Sequence, residues 1–186
     1  MINKINIEDK IFHGINLEFY KEKVSDLIIF EQILKTRKIK SRKDLLSDNY
    51  SYYNNLPDIY EQDNNEICLA VHPKNKQFAY VYNNETYSTA FYHYIRFNIS
   101  FIFLANILDS RKYSLQYGDA GEIRLNESIN LNHQLVGIGM YDNNFNEKYW
   151  KIKKLLEKYN YSVPIVDSLS GKILEKNLSI NKKIKL

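Results

Sequence analysis

Glu122 is the first residue in this chain from which a chemistry can be argued. It follows the turn Gly118-Asp119-Ala120-Gly121 and opens Glu122-Ile123-Arg124-Leu125, which alternates polar and apolar as a half-buried strand does. A carboxylate at a strand mouth can stabilise positive charge developing beside it or polarise a nucleophile. The same residue on an open sheet edge is simply solvated. Other residues with chemistry to offer are His13-Gly14, the pair Thr89 and Tyr92, and the basic run Lys35 to Lys43, read either as a solvated face or as a phosphate-contacting loop. Cys68 lies in the apolar run Ile67-Cys68-Leu69-Ala70-Val71, the setting of a buried, inert thiol. The histidines at 13, 72, 93 and 133 have no metal-ligand spacing on a common helix, and no metal is expected. Phosphate-cradling loops, the dinucleotide-binding glycine fingerprint, His-Glu-x-x-His and Gly-x-Ser-x-Gly are absent from the sequence.

The elements that must position these residues are short. Strands are expected near Ile2 to Ile7 and Lys10 to Ile15, followed by a helix whose apolar positions are Val24, Leu27, Phe30, Ile33 and Leu34, with Ser25 and Asp26 at its start. Leu45 to Asn65 shows no clean period and reads as a long loop with room for a short helix. Glu66 to Val71 and Phe78 to Tyr82 read as strands, with His72-Pro73-Lys74-Asn75 as a turn. The period over Thr86 to Phe97 is helical, putting Ala90, Phe91, Tyr94 and Ile95 on one face and Tyr92 and Arg96 on a neighbouring one. A strand over Ile99 to Leu104, a polar connection over Asp109 to Gln116, and strands over Glu122 to Ser128 and Leu135 to Met140 follow. Gly137 and Gly139 there point to close backbone approach. Tyr149, Ile152, Leu156 and Tyr159 mark the clearest amphipathic helix, and Val163 to Val166 a last strand. Strands outnumber helices and do not alternate regularly with them, which indicates an α+β fold.

Composition sets wide bounds. A chain of 186 residues with 44% hydrophobic and 26% charged residues is expected to form one domain with its own core. Its net charge of +4 is too mild to imply nucleic-acid binding. A single cysteine suits a reducing compartment, and no stretch has the length of a membrane span, so a cytoplasmic protein without membrane partners is expected.

Phe12-His13-Gly14 on an early strand, Thr89-Ala90-Phe91-Tyr92 opening a later helix, and Gly121-Glu122-Ile123-Arg124-Leu125 on a late strand stand in the order seen in ADP-ribosyltransferases. The chain resembles their His-Tyr-Glu branch, which includes poly(ADP-ribose) polymerases and bacterial toxins acting on nucleic acid. Residues 33–42 look like that family's segment after the first helix, and residues 129–140 are similar to its closing strands. The resemblance implies a single domain over residues 1–186, with 176–186 as a flexible basic tail. Its core would be a split, mostly antiparallel mixed β-sheet flanked by helices. It further implies a mono-ADP-ribosyltransferase of bacterial toxin or effector type, acting on NAD as co-substrate, with a protein or nucleic-acid acceptor and a neutralising antitoxin or immunity protein as partner. Such a protein works in the bacterial cytoplasm, or in a host cytosol if exported.

By that resemblance Glu122 is the catalytic carboxylate, His13 bonds the adenosine ribose, and the backbone of Gly14 approaches the nicotinamide amide. Thr89 contacts the amide through its hydroxyl, Tyr92 stacks on the nicotinamide ring, and Arg42 or Arg37 meets the pyrophosphate. Tyr94, Tyr82 and Tyr80 are the alternatives for the second stacking tyrosine. Residue 120 is Ala, whereas arginine- and Rho-modifying toxins usually carry Glu or Gln two places before the catalytic glutamate, so targets of that type are disfavoured. Two other readings compete. One is a non-catalytic nucleic-acid-binding or protein-interaction domain using Lys35 to Lys43 and exposed tyrosines; the other is an RNA phosphotransferase of the same superfamily.

Overall fold

Capping and alternation set the first elements of the computed structural model, which describes residues 3–15, 24–47, 66–75, 89–96, 98–108, 113–115, 121–131, 134–141 and 145–174. β1 (Lys10–Gly14) leads to α1 (Asp26–Thr36). Ser25 caps α1 from an extended backbone, and its hydroxyl accepts the Ile28 N–H. The helix ends at Arg37, whose φ of 58° is left-handed and whose N–H bonds the Leu34 carbonyl. The basic run therefore does not prolong the helix. Lys35 and Thr36 end the helix, and the rest of the run enters β2 (Lys38–Ile39) and α2 (Arg42–Ser47), a short helix that reaches into the start of the expected loop.

β3 (Ile67–Val71), α3 (Thr89–Ile95), β4 (Ile99–Leu104) and a 3₁₀ turn at Ala105–Leu108 follow. β5 (Tyr113–Leu115), β6 (Glu122–Leu125), β7 (Ile129–Asn130), β8 (Leu135–Met140), α4 (Phe145–Lys158) and β9 (Ile165–Asp167) complete the order. The fold is α+β, as expected. A seven-stranded sheet runs β5-β6-β3-β1-β4-β8-β9, antiparallel throughout except for the parallel β8–β9 pair, and β2 and β7 form a separate two-stranded ribbon.

Several boundaries differ from the sequence expectation for identifiable reasons. The expected first strand is only an isolated bridge, Lys4 to Lys172. Part of the expected polar connection is β5, which pairs along β6 and satisfies backbone groups that an open edge would leave bare. The strand beginning at Glu122 stops at Leu125, with bends at Asn126 and Glu127 before β7. The last strand starts after Pro164, which lacks an N–H but offers its carbonyl to Ile138. The expected strand over residues 78–82, the tail over 176–186, and most of the expected loop over residues 45–65 lie outside the described residues.

Register sorts the side chains onto two faces. One face carries Ile11, Leu69, Phe101, Ile123 and Ile138, and is covered by Ile29, Phe30 and Leu34 of α1 and Ile152 and Leu156 of α4. The other carries Phe12, Ala70 and Ile102 under Ala90, Phe91, Tyr94 and Ile95 of α3. The close approach expected at Gly139 is present: a Cβ there would come within 2.4 Å of the Ser100 and Ser168 hydroxyls. Among the described residues, no helix is long and apolar enough to cross a membrane.

Candidate functional site

β6 begins at the glycine turn as its composition requires. Gly121 has φ +80°, and its carbonyl accepts the Val71 N–H, tying the turn to β3. Glu122 then pairs with Ala70 and Arg124 with Cys68, so these side chains share the sheet face beneath α3. Glu122 is 5% exposed, so it is not a solvated edge charge. Arg124 Nε–H donates to Glu122 Oε1 at 2.8 Å, and the Tyr94 hydroxyl donates to Oε2 at 3.4 Å.

This cluster is charged, buried and internally paired. A carboxylate removed from water keeps its charge when a guanidinium bonds it at short range, and separating the two would leave a buried ion without a partner. Burial pushes the Tyr94 hydroxyl well above its ordinary range, with the Cys68 thiol and the Glu122 charge acting in the same direction. Tyr94 therefore remains an O–H donor at physiological pH. Neither Arg124 nor Tyr94 was singled out as a partner of Glu122 from the sequence. The signal available was register: residues two apart on a strand share a face.

α3 lies directly over this site because its apolar stripe sits on β1 and β3. Phe91 meets Phe12 edge-on at 5.2 Å between ring centres and His72 at 4.5 Å. Tyr92, on the outer side of the helix, is 43% exposed, its ring 5.4 Å from that of Phe91. Thr89 is the first residue of α3, but its side chain lies outside what the structure describes, as does that of Arg42 at the start of α2. Arg37 is exposed, with its guanidinium 5.9 Å from the Tyr161 ring centre. Tyr80 and Tyr82 lie outside the described residues, leaving Tyr94 as the described alternative tyrosine.

His13 is placed differently. It pairs with Phe101 across β1 and β4, and the two rings lie 6.5 Å apart on the face covered by α1 and α4. Its Nδ1 is 2.9 Å from the Cys68 carbonyl. A carbonyl can only accept, so Nδ1 carries the proton and Nε2 is the acceptor nitrogen of the neutral ring. Burial holds the ring's pKa below the ordinary value, partly opposed by that bond. Gly14, opposite Ser100, ends β1. The structure thus brings Glu122 together with Tyr94 and Arg124 beneath the helix that bears Tyr92, and turns the His13 side chain to the opposite face.

His72 closes the turn after β3, with its Nδ1 accepting the Lys74 N–H. Cys68 is half-buried, more open than its apolar neighbours implied. No protein-family model matches the chain, and no curated protein matches it.

Proposed function

We propose that the chain is an NAD-dependent mono-ADP-ribosyltransferase of bacterial toxin or effector type, with the ADP-ribosyltransferase-like split-sheet fold that this implies. The observation that carries the reading is the Glu122 carboxylate: buried at the mouth of β6, bonded to Arg124 and Tyr94, and roofed by the helix that begins at Thr89 and exposes Tyr92. Cleavage of the nicotinamide–ribose bond sends the bonding pair to the departing nicotinamide and leaves positive charge on the sugar, as glycoside cleavage does. Glu122 stabilises that charge from a site with little water, where a fixed carboxylate counts for more than in solution. The acceptor then bonds to the anomeric carbon, and Glu122 polarises the attacking group as its proton leaves.

The residues on the Glu122 face suit a flat, amide-bearing ring. Tyr92 offers an exposed aromatic surface, and Thr89, by resemblance, the hydroxyl. His13 does not share that face, so a ribose contact through Nε2 requires a ligand that passes over the Gly14 end of β1. The neighbourhood of β1, β3 and β6 and the turn at Gly121 support the reading independently of His13. A protein or nucleic-acid acceptor, and a neutralising partner in the producing cell, belong to the same proposal. So does activity in the bacterial cytoplasm or, after export, a host cytosol.

Incubation with labelled NAD and cell lysate, in parallel with Glu122→Ala, tests the assignment. Transfer or NAD hydrolysis is expected from the native chain and a loss of about 100-fold or more from the variant. Equal labelling by both proteins rejects Glu122 as the catalytic residue.

A further inference from the structure

The two oxygens of the Glu122 carboxylate have partners of different kinds. Oε1 is met at 2.8 Å by Arg124, which is 3% exposed and belongs to the same strand. β6 is hydrogen-bonded on both sides, by β3 and by β5, so the spacing between residues 122 and 124 is fixed by the ladder. A charged donor on so rigid a support makes a short bond that is hard to displace. Oε2 is met at 3.4 Å by the neutral Tyr94 hydroxyl, near the outer limit of a hydrogen bond. That hydroxyl comes from α3, a helix of seven residues.

From this asymmetry we infer that Arg124 is the positioning residue of Glu122, clamping Oε1, and that Oε2, covered by Tyr94, is the oxygen given up to a ligand hydroxyl. Replacing the Tyr94 hydroxyl by a ligand hydroxyl exchanges one neutral donor for another. Displacing the guanidinium would leave a buried carboxylate unpaired. Among the described residues, the groups that face Glu122 include Arg124 on its own strand, Tyr94 from α3, and the Cys68 thiol from β3, which bears on the Tyr94 hydroxyl. Tyr94 and Tyr92 sit on the same short helix, so a movement of α3 that uncovers Oε2 also moves the exposed ring beside it. The ligand assignment rests on the NAD reading; the clamp does not, and can be examined without ligand.

The full chain is labelled with carboxyl-¹³C glutamate, and the Glu122 signal is identified by its loss in Glu122→Gln. Arg124→Gln is expected to move the Glu122 titration midpoint upward and Arg124→Lys to restore most of it, while Tyr94→Phe moves it less than Arg124→Gln does. For NAD hydrolysis, Arg124→Gln is expected to lower kcat by about 100-fold with KM within about threefold, whereas Tyr94→Phe lowers kcat less than Arg124→Gln does. An unmoved midpoint in Arg124→Gln, or a larger shift in Tyr94→Phe, overturns the clamp. Should Arg124→Gln fail to fold, the Arg124 Nε–H proton signal reads the same contact from the other side. That signal must lose its hydrogen-bonded shift in Glu122→Ala, which leaves no acceptor at that place, and an unchanged position overturns the inference. A chain that titrates as expected but leaves NAD intact keeps the clamp and loses the NAD reading; one that cleaves NAD with an unmoved midpoint does the reverse.

Discussion

The two faces of the seven-stranded sheet are covered in different ways among the described residues. Beneath α1 and α4 the buried side chains are large and apolar, with Phe30 tilted against Phe101 at 5.5 Å and the wholly buried Phe103 beside it. On the other face the described cover is the short helix α3 with Ile5, Ile7 and Ile173 packed in the same cluster, and the sheet offers a buried Glu–Arg pair as well as apolar groups. Burying such a pair costs desolvation that an apolar pair would not incur. One face is therefore built for stability, and the other carries polar groups that packing alone does not explain. The inequality teaches where a substitution should act: on global stability in the first case, on local opening and chemistry in the second.

The sharpest way to break that contrast is to remove one large ring from each face. Phe101→Ala should lower unfolding free energy by about 3–5 kcal/mol, because neighbours on a sheet held from both sides cannot collapse into the space. Phe91→Ala should cost less globally, since α3 can detach from the sheet while the rest remains folded, which caps the loss. Hydrogen exchange distinguishes the two: α3 amides should speed up in Phe91→Ala while β4 amides hold. Equal global losses, with α3 and β4 exchanging together, would show that the two faces form one cooperative unit.

That division was only partly readable from the chain. Helix faces were legible because periodicity and burial are both local: Ala90, Phe91, Tyr94 and Ile95 were expected together and are all buried, and Tyr149, Ile152 and Leu156 line the inner side of α4. The Glu122 turn was legible because glycine and alternation mark it. Which face each strand residue occupies was not, because that depends on register between strands far apart in sequence. His13 and Glu122 were therefore grouped by order along the chain, although pairing of Phe12 with Ala70 and of Ala70 with Glu122 sends His13 to the other side. β5 escaped for a similar reason: three residues pairing on an edge carry little pattern of their own.

A smaller effect comes from two histidines, one on each face. Burial holds both His13 and His72 below the ordinary histidine value, and His72 lies against Phe91 of α3. The unfolded chain thus takes up its protons first as pH falls through about 6.5, and the folded state is penalised from there down to the folded values. For His13 the slope in that window reaches at most about 1.4 kcal/mol per pH unit, with stability decreasing toward acid. His72 also feels Glu8, whose charge opposes the burial effect, and Lys74, whose charge adds to it. Urea unfolding between pH 7.5 and 5 should show an acid limb that His13→Gln and His72→Gln each flatten. An acid limb that neither variant changes would remove the buried rings as its cause.

The smallest expected effect gives the strictest control on whether the faces act separately. Ser25 caps α1 through a 3.4 Å contact to the Ile28 N–H, long enough that Ser25→Ala should cost only about 0.5–1 kcal/mol. Asp26 holds the same helix start by a second route: Oδ1 accepts the Leu27 N–H at 2.9 Å and Oδ2 the Lys148 ammonium at 2.8 Å, joining α1 to α4. With that second support intact, the variant should shift the urea midpoint without changing the m-value. Since α1 lies across the sheet from Glu122, NAD turnover and α3 amide exchange should stay at native levels. If so slight a loss at the α1 cap altered either of them, the α3 site would be sharing its stability with the opposite face, and the separation drawn from burial and register would fail.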